Sequence, residues 1–175
     1  IRKFGTVVCA CGGVGAAPVY PQVKWLHNHG IKADVIVGAK TKDLLILQDE
    51  MTAVAGNYYP CTDDGSYGFN GLVTQKLKEL IDGGAEYDEV IAIGPIPMMK
   101  NVCLVTKEKG IKTIVSLHPI MIDGTGMCGG CRVTVGGQTK FACVDGPDFD
   151  GFLIDFDEAM KRGTTYRDFE RHAYE

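Results

Sequence analysis

Residues 7–18 read VVCACGGVGAAP, and this stretch predicts a strand, a glycine turn and the start of a helix. The strand part is apolar throughout rather than alternating, which is typical of a strand that is covered on both faces. Pro18 falls in the first turn of the helix, where its missing N–H costs no hydrogen bond. A buried strand that enters a helix in this way is characteristic of a doubly wound parallel sheet.

The same alternation of strand and helix continues to residue 119. We predict strands over residues 5–11, 33–38, 57–62, 89–94 and 112–117, and helices over residues 16–29, 42–55, 72–81 and 97–109. Each helix is followed by a glycine suited to a left-handed cap, namely Gly30, Gly56, Gly83 and Gly110. The pattern therefore predicts an α/β domain over residues 1–119, with a doubly wound, parallel, five-stranded sheet.

Composition and charge exclude several classes of protein. Of the 175 residues, 45% are hydrophobic and 23% are charged, so a disordered or fibrous chain is not expected. The net charge of −4 leaves no basic stripe for a phosphate backbone, so we expect no nucleic-acid partner. The longest apolar run is far shorter than a bilayer span and no signal peptide is visible, so we expect a cytoplasmic protein without membrane contact. Because the chain starts at Ile1 rather than Met, we expect a processed protein or a piece of a longer one.

The glycine turn is a candidate dinucleotide site. Gly12, Gly13 and Gly15 lie between the first strand and the first helix, where backbone N–H groups and the positive helix end suit a pyrophosphate. The match to G-x-G-x-x-G is incomplete, since Pro18 stands at the position of the third glycine. The alternative is a tight turn that binds no ligand.

A second candidate is IGPIPMM, residues 93–99, at the carboxyl end of the fourth strand. This end of a doubly wound sheet is where the second half of a dinucleotide lies. Gly94, Pro95 and Met98 are therefore candidate cofactor residues, because a Gly-Pro step lets a nicotinamide ring approach the backbone closely. The alternative is that the prolines only start the following helix.

A third candidate is TDDGSYG, residues 62–68, which follows the third strand and is a turn by composition. Thr62, Asp63 and Asp64 lie at the same sheet edge as the two other segments, and the two aspartates are possible acceptors for ribose hydroxyls. A solvated turn without a ligand accounts for the same residues equally well.

After residue 117 the pattern changes to a glycine-dense loop, HPIMIDGTGMCGGCR, over residues 118–132. A hairpin follows, with strands over residues 133–135 and 139–143 joined by a Gly136-Gly137 turn. We predict a small subdomain over residues 120–151. Residues 152–175 then form a polar helix and a tail.

The loop and the hairpin carry the strongest chemical pattern of the chain, D-x4-C-x2-C-x11-C. It comprises Asp123, Cys128, Cys131 and Cys143, and the hairpin returns the last of these beside the third. The plant-type [2Fe–2S] pattern is C-x4-C-x2-C followed by a distant cysteine, so this is the same frame with Asp123 in the first place. Glycines in the loop let backbone N–H groups point at an anionic centre. We predict that these four residues hold a [2Fe–2S] cluster.

The same four residues are compatible with two alternatives. A Cys₃Asp set also satisfies tetrahedral zinc, and a reduced surface loop would need no metal at all. The seven cysteines are an odd number, which argues against a disulfide framework. A non-enzymatic module that binds zinc or an iron–sulfur cluster is therefore the rival hypothesis to an enzyme.

These segments together resemble the iron–sulfur branch of the ferredoxin–NADP reductase superfamily. The resemblance runs through GGVGAAP, TDDGSYGFNGLVT, IGPIPMM, DGTGMCGGCRV and ACVDGPDFDG, which is most of the chain. The branch includes the electron-transfer subunit of dihydroorotate dehydrogenase and the small subunit of NADH-dependent ferredoxin:NADP oxidoreductase. Asp123 favours the second, because the dihydroorotate branch normally has four cysteines.

The resemblance implies an oxidoreductase subunit that transfers electrons between a nicotinamide, FAD and the [2Fe–2S] cluster toward a larger catalytic subunit. FAD would bind to an N-terminal barrel that these 175 residues lack, so this chain would be catalytically incomplete alone. Members of the superfamily often have cysteine before the Gly-Pro step, where this chain has Ile93. The resemblance favours NAD(H), whereas Lys40 and Lys42 after the second strand suit the 2′-phosphate of NADP(H).

Overall fold

The computed structural model describes residues 5–174. The first four residues of the predicted nucleotide domain and the last residue of the predicted tail lie outside the described residues. The described part forms nine strands: β1 (Val7–Gly12), β2 (Ala33–Ala39), β3 (Tyr58–Thr62), β4 (Phe69–Asn70), β5 (Glu89–Ile93), β6 (Lys112–Ser116), β7 (Arg132–Val135), β8 (Gln138–Phe141) and β9 (Asp148–Asp150). It also forms seven α-helices: α1 (Ala16–Asn28), α2 (Gln48–Val54), α3 (Val73–Asp82), α4 (Ile96–Glu108), α5 (Ala142–Asp145), α6 (Phe156–Arg162) and α7 (Arg167–Tyr174).

One large sheet carries the fold, with the strand order β4-β3-β2-β1-β5-β6-β9. All its neighbours are parallel except β6 and β9, which are antiparallel. The order reverses at β1, as in a doubly wound sheet, and this reversal creates a crevice at the carboxyl ends of β1 and β5. The predicted α/β fold class is thus confirmed.

Helices cover both faces of this sheet, and β1 shows how. Its alternate residues Val7 and Cys9 pack with α1 and α2, whereas Val8 and Ala10 pack with α3 and α4. All four side chains are fully buried. The unbroken apolar run of β1 follows directly from having a hydrophobic layer on each side.

The sheet has seven strands where five were predicted, so the predicted strand number was wrong. The five predicted strands are present, with ends that differ by one or two residues. The two additional strands are β4, of two residues, and β9, of three, at the two edges of the sheet. Neither is long enough to show the period of a strand in its sequence.

The predicted helix over residues 42–55 is interrupted. Residues Lys42–Leu44 form a 3₁₀ turn, and α2 begins only at Gln48. Leu47 between them has a φ of 56°, a left-handed conformation in a non-glycine residue. The apolar spacing of the segment is helical, but the backbone turns sharply at Leu47. Leu45 before the turn and Met51 after it are both buried in the core beneath α1.

The C-terminal part returns to the large sheet. The hairpin of β7 and β8 has Gly136 and Gly137 at φ values of 57° and 75°, the positive pair that a two-residue hairpin turn requires. Cys143 does not end the returning strand as predicted but lies in the short helix α5. Strand β9 then pairs with β6, and Lys100 of α4 forms an ion pair with Asp157 of α6 at 2.7 Å. No helix among residues 5–174 is long and apolar enough to cross a membrane.

Candidate nucleotide and iron–sulfur sites

A cavity of about 720 Å³ opens at the carboxyl ends of the central strands, at the point where the strand order reverses. Its walls come from the turns after β1, β2, β3 and β5 and from the first turns of α3 and α4. Its lining includes Gly12, Gly13, Val14, Lys40, Asp63, Pro95, Pro97, Met98 and Asn101. Five of the predicted cofactor residues are among them: Gly12, Gly13, Asp63, Pro95 and Met98.

The three predicted glycines of the first turn have different roles. Gly13 has a φ of +55°, and a Cβ atom built on it meets no atom within 4 Å. A Cβ atom on Gly15 would instead collide with the carbonyl oxygen of Ile93. Gly13 thus leaves room for a ligand in the cavity, whereas Gly15 lets the start of α1 approach β5 closely.

Gly94 also serves a close approach of two backbones. A Cβ atom there would lie 2.8 Å from the backbone nitrogen of Gly12. Gly12 has a similar restriction, since its Cβ would lie 2.7 Å from Met98 Sδ and 2.7 Å from Pro95 Cδ. The Gly-Pro segment and the glycine turn are therefore in direct contact at the floor of the cavity.

The turn after β3 contributes one of its three predicted residues to the cavity wall. Asp63 lines the cavity, and its N–H donates to the Ala39 carbonyl at 3.1 Å. Thr62 is buried, and its hydroxyl donates to the Tyr67 carbonyl within the turn at 2.7 Å. Asp64 accepts from the Ser66 hydroxyl at 2.6 Å, and this bond lowers the pKa of Asp64. Thr62 and Asp64 thus close the turn that presents Asp63.

Some lining residues lie outside the candidate segments. Asn101 follows Pro97 by one helical turn of α4 and so shares its face. Val14 is 79% exposed in the 3₁₀ turn before α1, an unusual place for a large apolar side chain. The helical spacing after the prolines is a sequence signal for Asn101, and none exists for Val14.

The Asp123 carboxylate organises the glycine-rich loop. Its Oδ1 accepts from the Thr125 N–H at 2.9 Å, and its Oδ2 accepts from the Cys128 N–H at 2.8 Å. The bond from Thr125, with a smaller contribution from Cys128, lowers the pKa of Asp123. Gly124 and Gly126 within the loop have φ values of 71° and 81°, which other residues rarely adopt. The carboxylate therefore caps the turn that leads to Cys128.

The thiols of the predicted cluster set accept backbone N–H groups. The Cys143 N–H donates to Cys131 Sγ at 3.4 Å and lowers the pKa of Cys131. The Gly130 N–H donates to Cys128 Sγ at 3.4 Å. Hydrogen bonding to the Cys131 side chain raises the pKa of Cys143. Amide donors on sulfur favour the thiolate form, the form that binds metal.

Chemically, the donor set fits an iron–sulfur centre, because three thiols and a carboxylate lie along one glycine loop and α5. Cys131 and Cys143 are in contact, and the Asp123 charge acts on Cys143. Within residues 5–174, no three His, Cys, Asp or Glu side chains stand ready to hold one metal ion together. The loop and α5 thus bring the donors into one region.

The four other cysteines are buried in the nucleotide domain. Burial raises the pKa of Cys9, Cys61 and Cys103 to about 12 and that of Cys11 well above its ordinary value. They behave as small hydrophobic residues of the core.

Comparison with known protein families bears on both sites. The oxidoreductase NAD-binding domain matches residues 10–104, which is more than half of the chain. The chain belongs to this oxidoreductase NAD-binding family. Residues 118–155 of the chain match the iron–sulfur cluster binding domain of dihydroorotate dehydrogenase B. The first match contains the cavity's glycine turn and Gly-Pro segment, and the second contains all four predicted cluster residues. The predicted resemblance is confirmed.

Individual relatives agree with these matches. An uncharacterised protein from the adh 3′ region of Clostridium beijerinckii is 59% identical over 98% of this chain and 58% of its own length. A Thermotoga maritima homologue of the electron-transfer subunit of dihydroorotate dehydrogenase B (NAD(+)) is 47% identical over 100% of the chain and 61% of its own length. The structure of an NADH-dependent reduced ferredoxin-NADP oxidoreductase superposes with a TM-score of 0.88 at 46% identity, covering 98% of this chain and 61% of that one. The chain thus spans about 60% of the length of these relatives.

Proposed function

We propose that this chain is the nucleotide- and cluster-carrying part of an electron-transfer subunit of a flavin-dependent oxidoreductase. A single observation carries the proposal: Pro97, at the start of α4, lines both the nucleotide cavity and a second cavity of about 770 Å³ that Cys128 also lines. A site for a hydride carrier and a candidate site for a one-electron carrier therefore share a wall. Such an arrangement suits transfer of electrons between the two.

In the nucleotide cavity, each wall has a distinct task. The Gly13 turn and the start of α1 offer N–H groups to the pyrophosphate. Asp63 is placed to accept from a ribose hydroxyl, and Lys40 to meet the adenosine side of the dinucleotide. Pro95 and Met98 form the wall for the nicotinamide ring. The resemblance favours NAD(H), and Lys40 keeps NADP(H) as the alternative.

At the glycine loop, we propose Asp123, Cys128, Cys131 and Cys143 as the ligands of a [2Fe–2S] cluster. Such a cluster, when bound, accepts and releases one electron at a time. The Gly130 and Cys143 amides donate to the sulfur atoms of Cys128 and Cys131. A nicotinamide exchanges only a hydride, so FAD must stand between the two, and we propose that it binds a barrel outside this chain.

The partner is proposed to be a larger flavin and iron–sulfur catalytic subunit, and the location to be cytoplasmic. Two assemblies are consistent with the names of the relatives: a ferredoxin–NADP oxidoreductase and dihydroorotate dehydrogenase B. The presence of Asp123 in place of a fourth cysteine favours the first.

Anaerobic titration with NADH tests the proposal, with NADPH in parallel. We expect this chain to bind the nucleotide without reduction of its cluster, because no flavin is present to split the electron pair. A longer protein that includes the flavin domain should show bleaching of the flavin and then of the cluster. Reduction of the cluster by NADH without flavin, or failure to bind either nucleotide, would contradict the proposal.

A further inference from the structure

Two arginines from different elements contact the peptide groups between Cys128 and Cys131. Arg132 Nη1 donates to the Gly129 carbonyl at 3.4 Å. Arg162 Nη2, in the last turn of α6, donates to the Gly130 carbonyl at 3.1 Å. The two guanidinium groups thus donate to the carbonyls of successive loop residues. The two arginines are 30 positions apart in the chain.

These contacts fix the direction of the loop amides. In a planar trans peptide the C=O and the following N–H point in opposite directions. With the Gly129 carbonyl turned toward Arg132, the Gly130 N–H points the other way and donates to Cys128 Sγ at 3.4 Å. By the same geometry, the bond from Arg162 to the Gly130 carbonyl leaves the Cys131 N–H pointing away from Arg162.

The position of Arg162 is set by the fold rather than by the loop. Helix α6 begins at an Asp155 cap, whose Oδ1 accepts from the Glu158 N–H at 2.9 Å. Phe156 of α6 is buried in the same core as Met99 and Val102 of α4, and the exposed Lys100–Asp157 ion pair joins the two helices at the surface. Arg162 is half-buried, whereas Arg132 is exposed. Arg162 is therefore the better anchored of the two donors.

Arg132 and Arg162 also bring positive charge to the loop. All four ion pairs found among the described side chains are made by lysines, so neither arginine is neutralised by a carboxylate within them. A guanidinium group keeps its charge at any working pH. A reduced cluster carries one more negative charge than an oxidised one, so a fixed positive charge nearby stabilises the reduced state.

We propose that Arg162, assisted by Arg132, is a positioning residue that aims the Gly130 and Cys131 amides at the cluster and raises its reduction potential. This inference rests on the proposed function, because it takes the loop to hold a [2Fe–2S] cluster. It assigns to α6 a task that the four ligands do not perform. The helix supplies both orientation and charge to the electron-transfer centre.

The test compares Arg162→Gln, Arg162→Lys and the matched control Lys161→Gln in the intact protein. Lys161 is exposed on the same helix, and its variant makes the same change in net charge without touching the loop. We expect Arg162→Gln to lower the ratio of reduced to oxidised cluster at fixed ambient potential by roughly threefold to tenfold. Arg162→Lys should restore most of the ratio, and Lys161→Gln should leave it unchanged.

Hydrogen exchange in the cluster-free protein gives a second readout. The Cys131 amide should exchange several-fold faster in Arg162→Gln than in the parent or in Lys161→Gln. Equal reduction potentials and equal exchange rates in all four proteins would overturn the inference. A parent protein without iron or sulfide would overturn the proposed function instead, while the exchange comparison would still decide whether Arg162 positions the loop.

Discussion

Asp123 is the residue at which loop capping coincides with the proposed metal binding. Both of its oxygens accept backbone N–H groups, from Thr125 and Cys128. A carboxylate oxygen has more than one lone pair, so it can accept an N–H and bind iron at the same time. The bond from Thr125 lowers the pKa of Asp123. The capping interaction is therefore complete at pH values above the ordinary pKa of aspartate, and it is lost as the pH falls through the lowered pKa. Protonation is thus not expected near neutral pH.

Substitution of Asp123 separates the two roles. Asp123→Cys restores the all-thiolate frame and should keep the cluster with a changed reduction potential, because thiolate is a softer and stronger donor to iron. Asp123→Ser keeps an acceptor for the turn but is a poorer ligand, so its cluster should be lost several-fold faster to a chelator. A redox titration and the rate of cluster loss are the measurements. If Asp123→Ser matches the parent in both, Asp123 only caps the loop.

The seven thiols should differ sharply in reactivity once the cluster is removed. At pH 8, a thiol with a pKa of about 12, such as Cys9, has roughly 10⁻⁴ of its population as thiolate. We therefore expect exposed Cys128 to be alkylated first, and the four thiols buried in the nucleotide domain to react only after unfolding. Mass mapping of labelled peptides, with a guanidinium-unfolded sample as control, measures the order. Early labelling of Cys9 or Cys11 would show that the first strand is not buried.

At the scale of single residues, the sequence predicts the chemistry of a position better than its geometry. Spacing alone locates both the cluster loop and the glycine turn. That Gly15 and Gly94 serve backbone approaches, and that Thr62 and Asp64 bond within their own turn, depends on neighbours brought in from other segments. No local pattern contains those neighbours.

At the scale of elements, the turn from β1 into α1 is the part of the nucleotide site that is most open to a direct test. Gly15→Val is a poor probe, since its side chain would meet the Ile93 carbonyl and disturb the packing of α1. Val14 is a better position because it lines the cavity and is 79% exposed. A carboxylate placed there would face the dinucleotide phosphates.

We expect Val14→Glu to weaken NADH binding at least about tenfold through charge repulsion at the helix start, without loss of fold. Leu104→Glu is the matched control, because Leu104 is 53% exposed on α4 and lines neither cavity. Fluorescence titration with NADH measures the affinity, and thermal unfolding checks the fold. Unchanged affinity in Val14→Glu would mean that the glycine turn is only structural.

For helices and strands with a clear hydrophobic pattern, the predicted ends agree with the observed ends to within one or two residues. Short or bent elements were not predicted. The buried strands are continuous apolar runs, so their positions follow from composition alone. The predicted helix over residues 42–55 fails at Leu47, which has a left-handed backbone although it is not a glycine, so no residue type in the sequence marks the break. Gly30 and Gly110 take the expected left-handed conformation, whereas Gly83 has a φ of −76° and Gly84 turns instead.

At the scale of the whole molecule, the decisive feature is that the C-terminal segment folds back on the nucleotide domain. Strand β9 extends the large sheet and α6 contacts α4, so the start of α4 becomes a shared wall of the two cavities. The sequence predicts the nucleotide domain and the iron–sulfur subdomain, but it does not predict the contacts that β9 and α6 make between them. A three-residue edge strand and one ion pair leave no periodic signal in the chain.

The molecule is proposed to hold a dinucleotide site and a [2Fe–2S] cluster side by side in one chain. The most direct measurement of this is the metal and acid-labile sulfide content of protein purified without oxygen. We expect a red-brown protein with iron and sulfide near two each per chain. A colourless protein with one zinc per chain and no sulfide would contradict the proposal and leave a zinc-binding module in its place.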